Sequence, residues 1–127
     1  MTSHGYTITG PNYFFLNYYT LDDNRVKKAG AGRKRIFPRF KTYQYEFFHY
    51  YELCRIYRHN CSMLKNRGCG FSEIVASIIA CTYSVERNSI SMITAYTALY
   101  VGKTMSKVTA ALDFLNEHTD GGFFKLR

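Results

Sequence analysis

The chain has 127 residues, 17% of them aromatic and none of them tryptophan, with a formal net charge of +8 and a sequence pI of about 9.4. That length suits one domain with a real core, and the charge excess calls for an anionic partner such as nucleic acid. A membrane span is not expected, because the longest nearly uncharged stretch, Ile74 to Val85, is too short to cross a bilayer.

Residues 1–24 are rich in β-favouring aromatics: Tyr6-Thr7-Ile8-Thr9, then Tyr13 through Leu21, with Gly10-Pro11-Asn12 between them as a turn. A strand or a packed arm is expected there rather than a helix. Met1 to Tyr6 carries no apolar run of the kind found in secretory leaders. The four cysteines (Cys54, Cys61, Cys69 and Cys81) sit in or beside apolar helical patterns, not at loop corners. Reduced thiols in a cytoplasmic protein, nucleoid-associated in a bacterium, are the expectation.

Residues 25–41 hold eight of the seventeen cations and no acid, with Ala29-Gly30-Ala31-Gly32 as a hinge in the middle. A basic arm of this kind can follow phosphates or enter a minor groove, and Arg33, Lys34 and Arg35 are its candidate contacts. Charge is unevenly spread along the chain. Residues 1–67 hold twelve Lys and Arg against four Asp and Glu, whereas residues 68–127 hold five against five.

From Pro38 onward Phe40, Tyr43, Phe47, Tyr50, Cys54, Tyr57, Cys61 and Leu64 recur at alternating spacings of three and four. Proline at the start and Gly68 at the end predict a helix over 39–66. At 1.5 Å per residue it would be about 40 Å long, more than one small domain can cover. A globular homodimer interface is therefore expected through Phe47, Tyr50, Cys54, Tyr57, Cys61 and Leu64. The division that follows is an aromatic segment and basic arm over 1–38, then one domain over 39–127.

Gly68-Cys69-Gly70 breaks the pattern, and residues 72–86 resume it with Ile74, Ile78, Cys81 and Val85, Ser72 as N-cap and Glu73 in the first turn. Ser91 to Leu99 reads as a short helix, Val101-Gly102 as a tight turn, and Val101, Thr104, Met105, Val108, Ala111, Leu112 and Leu115 as the apolar stripe of a longer helix. The opposite side of that helix runs from Lys103, Ser106 and Lys107 to Asp113 and Glu117, a polarity suited to an N-terminal end in a DNA groove. His118 to Gly122 signals a turn and Phe123 to Arg127 a strand.

Two short helices, a tight turn, a longer amphipathic helix and a strand resemble the winged helix-turn-helix domain of the small MarR-like regulators, over residues 71–127. The resemblance implies a mainly α fold with a long N-terminal dimerisation helix and a short β-wing. It implies a dimeric, sequence-specific double-stranded DNA-binding protein, acting in transcription or in a plasmid or viral element. Lys103, Thr104, Ser106, Lys107 and Thr109 would then meet the major groove, and Lys125 and Arg127 on the wing would touch phosphate. Winged helices also serve as protein-interaction adaptors and in replication initiators, and the zero charge balance of residues 68–127 suits an adaptor.

Catalytic and metal chemistry find no footing. Gly102-Lys103-Thr104 ends like a phosphate-binding loop, but position 97, where its first glycine belongs, is Thr. His49, Cys54, His59, Cys61 and Cys69 include no Cys-x-x-Cys pair, and two of these thiols already belong to the heptad stripe. No Ser/His/Asp set or carboxylate pair can be placed, so a non-enzyme without cofactor is expected.

Overall fold

Pro11 decides how the chain opens. Its ring fixes φ near the helical value, and its missing N–H costs nothing in a first turn. The computed structural model describes residues 5–22 and 34–119 and begins with helix α1, Gly10–Asn17. The aromatic segment expected as strand or arm is thus partly helix. It is also core: Phe14 and Phe15, with Tyr19 just beyond the helix end, are buried. Eight residues cannot hold a helix by propensity alone, so the burial of these rings outweighs their β preference.

The chain then forms two short strands, β1 (Leu21–Asp22) and β2 (Arg35–Ile36), which pair antiparallel with Leu21 opposite Ile36 and Asp22 opposite Arg35. The strand expected at 123–127, with Lys125 and Arg127, lies outside the described residues, as do Arg33 and the glycine hinge.

Helix α2 runs over Thr42–Ile56, fifteen residues in place of the expected 39–66. The chain leaves the helix at Tyr57, Arg58 takes a left-handed φ of +56°, and the His59 N–H closes on the Cys54 carbonyl at 2.8 Å. His59-Asn60-Cys61-Ser62 are four poor helix formers in succession, and past Ile56 no core remains to hold them. The heptad stripe therefore does not form one surface. Phe47 and Cys54 turn into the molecule's own core, Tyr50 is partly exposed, Tyr57 is 68% exposed, and Cys61 and Leu64 lie on the non-helical stretch that follows.

Helix α3, Phe71–Val85, agrees with its expected span, although Gly70 rather than Ser72 is the N-cap. Ile74, Ala76, Ser77 and Ala80 form its buried side, while Val85 is exposed. Helix α4 is one continuous helix over Ala98–His118. Residues 91–97 are not helical, and Val101 and Gly102, expected as a turn, sit inside the first turns of α4. No helix-turn-helix of the expected spacing is formed among the described residues. Thr94, Tyr96 and Thr97 disfavour an early helix start through their branched or aromatic side chains. A Cβ on Gly102 would meet nothing within 4 Å. Gly102→Ala is accordingly expected to raise stability by about 0.5–1 kcal/mol in a urea or thermal melt. A glycine required by a tight turn would give the opposite sign.

The described part is mainly helical with one small two-stranded sheet. α3 packs chiefly on α4 and on α1, and α1 also meets α2. Ala76, Ala80 and Ala111 are fully buried in α3 and α4, so small residues allow these helices to approach closely. Phe14, Phe15, Tyr19, Phe47 and Phe48 fill the other side of the core. No described helix is long and apolar enough to cross a membrane.

Candidate nucleic-acid interface

The hairpin is built around one guanidinium. Arg35 donates from Nη2 to the Thr20 carbonyl at 2.6 Å and from Nε to the Thr20 hydroxyl at 3.0 Å, and pairs through Nη1 with Asp22 at 3.1 Å. Thr20 is buried, so these bonds clamp β2 against the body. Arg35 was expected to contact DNA. Its Nε, Nη1 and Nη2 each already hold a partner at the base of the hairpin.

Pairing Asp22 with Arg35 brings together the two ends of a twelve-residue connection that carries Arg25, Lys27, Lys28, Arg33 and Lys34 against the single acid Asp23. Lys34 is exposed. Directly after β2 come Arg39 and Lys41, also exposed, with the Lys41 ammonium 5.8 Å from the centre of the Tyr43 ring. Among the described residues, Lys34, Arg39 and Lys41 are thus three exposed cations flanking β2.

The expected recognition helix divides differently. Lys103 is exposed near the start of α4, its ammonium 5.8 Å from the Tyr100 ring centre. The hydroxyls of Thr104 and Ser106 donate back to the Tyr100 and Lys103 carbonyls, at 3.2 and 3.0 Å. Thr109 is half-buried and lines an apolar cavity of about 240 Å³ between α3 and α4. Lys107 was expected on the exposed face, but its ammonium lies 2.7 Å from Glu73 on α3. It stands one turn before buried Ala111 and so shares the flank that faces the neighbouring helix. α4 does not gather the five residues into one reading surface.

Beneath the hairpin lies a cleft of about 540 Å³, bounded by β1, β2, the starts of α2 and α3, and Lys107 of α4. Glu73 and Lys107 on its lining belong to a chain of polar contacts that runs back to buried Tyr19. Tyr19 donates its hydroxyl to Glu73 Oε2 at 2.5 Å, and the other Glu73 oxygen takes Lys107. Burial first, and then the adjoining Glu73 carboxylate, hold the Tyr19 hydroxyl far above its ordinary pKa, so it stays protonated. The chain matches no family model, no curated protein and no solved structure.

Sequence reasoning missed Arg39, Lys41 and Gln44 as residues of one site, and it read Glu73 only as a helix-start acid. Nothing in their spacing signals the shared cleft, since residues 22, 39, 73 and 107 meet only through the tertiary fold. Among the described residues, no three of His, Cys, Asp or Glu gather as metal ligands.

Proposed function

We propose that the protein binds double-stranded DNA, with the basic hairpin connection and the Arg39 and Lys41 side chains set against phosphates. The observation that carries this reading is the exposure of Lys34, Arg39 and Lys41 on either side of β2, in an acid-poor basic stretch of the sequence. In fold terms the β1–β2 pair would serve as a wing-like ribbon on the N-terminal side of a helical body. Clustered cations release condensed counterions on binding, giving affinity and steep salt dependence without base readout. Such binding suits a transcriptional regulator, a replication factor or a DNA-binding factor of a mobile element.

A second reading, a protein-interaction module or homodimer, is favoured by a different region. Ile90, Met92 and Tyr96 lie on the non-helical stretch before α4 and are almost fully exposed, Tyr96 at 98%. Exposed apolar side chains grouped in this way suit a protein partner.

Salt dependence separates the two. Changing Lys34, Arg39 and Lys41 together to Ala is expected to lower the slope of log affinity against log salt, in gel shifts on duplex DNA, by up to about 2.7, at roughly 0.9 per phosphate contact. Lys103→Ala should change it by no more than about one contact. No measurable duplex binding, or an unchanged slope in the triple variant, would leave the interaction module in place.

A further inference from the structure

We propose that the cleft beneath the hairpin binds a phosphomonoester carried on an apolar or aromatic body, as in a nucleoside monophosphate. This inference rests on the cleft alone and does not require the duplex reading.

Two helices begin at its rim. The N-cap Lys41 and third residue Gln44 of α2 line it, as do the N-cap Gly70 and third residue Glu73 of α3. Neither N-cap supplies a side-chain acceptor to its helix; the Gln44 and Glu73 N–H groups bond back to the Lys41 and Gly70 carbonyls, which leaves the N–H groups of the first two residues of each helix for an incoming anion. The Tyr43 hydroxyl donates to the Cys69 carbonyl at 3.0 Å and ties the two helix starts together.

Gln44 supplies the independent observation. It is only 6% exposed and lines the cleft, and its side-chain amide has no hydrogen-bond partner among the described residues. Facing the cleft, that amide is open to a hydrogen bond with a bound group. Gly70 makes room for it. Its φ is +77°, and a Cβ there would stand 3.3 Å from Gln44 Nε2. The amide therefore lies across the start of α3, where an anion bound by the N–H groups would also accept its hydrogen bond.

The charges agree. Asp22 is paired with Arg35 and Glu73 with Lys107 and Tyr19, so both acids on the lining are already neutralised by partners. Arg39 and Lys41 on the same lining have no carboxylate partner among the described residues. The remaining wall is apolar, formed by Phe15, Leu21, Ile36 and Phe37. An anionic head with a flat apolar body fits that division, and a volume of about 540 Å³ accommodates a nucleotide.

The test is isothermal titration of the full chain with adenosine monophosphate, inorganic phosphate and adenosine. Binding of the monophosphate, weaker binding of phosphate and none of adenosine is the expected order. Arg39→Ala with Lys41→Ala should weaken the monophosphate by on the order of tenfold or more, the usual scale for lost charged hydrogen bonds. Gln44→Met, checked for folding by circular dichroism, should weaken it several-fold while leaving the duplex salt slope unchanged. Duplexes with and without a 5′ phosphate distinguish the source. Preference for the phosphorylated end assigns the cleft to strand termini, and indifference to it assigns the cleft to the free nucleotide. Failure to bind monophosphate at millimolar concentration, or equal binding by the Arg39/Lys41 variant, overturns the proposal even where duplex binding persists. Monophosphate binding without duplex binding leaves the cleft assigned and removes the duplex reading.

Discussion

Replacing Phe15 by Ala is expected to cost about 3–5 kcal/mol, the range found when a buried phenylalanine is truncated. Phe15 is 1% exposed, with its ring centre 5.6 Å from that of Tyr19 and 5.5 Å from that of Phe48. Truncation leaves a void among rings that cannot collapse into it, because Tyr19 is held by Glu73 and Phe48 by its place in α2. A domain of ordinary stability, about 5–15 kcal/mol, would lose a large part of it. Tyr13→Ala on the same helix is the control, since Tyr13 is exposed and a surface change of that kind stays within about 0.5 kcal/mol. Urea titration of the two variants decides whether α1 belongs to the core. A loss below about 1 kcal/mol at Phe15 would return the N-terminal segment to the status of an arm.

The difference between that outcome and the strand or arm expected from sequence lies in what local pattern can carry. α3 was legible because Ile74 and its helical repeats, an acid in the first turn and a preceding glycine all agree over fifteen residues. The inner side of α4 was legible too: Val108, Ala111 and Leu115 of the expected stripe are its buried residues. Gly102 misled because glycine punctuation cannot distinguish a turn from an early helical position with open space around it. The stripe through Leu64 misled in another way, since apolar spacing persists in a chain that has already left the helix. Strands of two residues show no period at all, so the hairpin was invisible. The candidate site was less legible than the fold. Which flank of α4 is covered depends on where α3 lies, and that placed Lys107 on Glu73 instead of in a groove.

Raising the pH should destabilise the protein more steeply than its Tyr19→Phe variant. The sign follows from proton counts. In the folded chain burial and the Glu73 carboxylate hold the Tyr19 hydroxyl protonated far above its ordinary range, whereas in the unfolded chain it ionises near pH 10. Below that pH both states carry the proton and Tyr19 adds no pH dependence. Above it the unfolded state has lost a proton that the folded state keeps, so stability falls by about 1.4 kcal/mol per pH unit from this group alone. Burial also raises the Tyr51 hydroxyl, but Tyr51 is present in both proteins and largely cancels in the comparison. At neutral pH the variant should be the weaker by about 1 kcal/mol or somewhat more, because it loses the hydrogen bond to Glu73. The two stability curves, measured by urea unfolding from pH 8 to pH 12, should therefore cross about one unit above pH 10. Parallel curves over that range would mean that the Tyr19 hydroxyl ionises as easily folded as unfolded, and the Tyr19–Glu73 hydrogen bond behind the cleft would not be the contact described above.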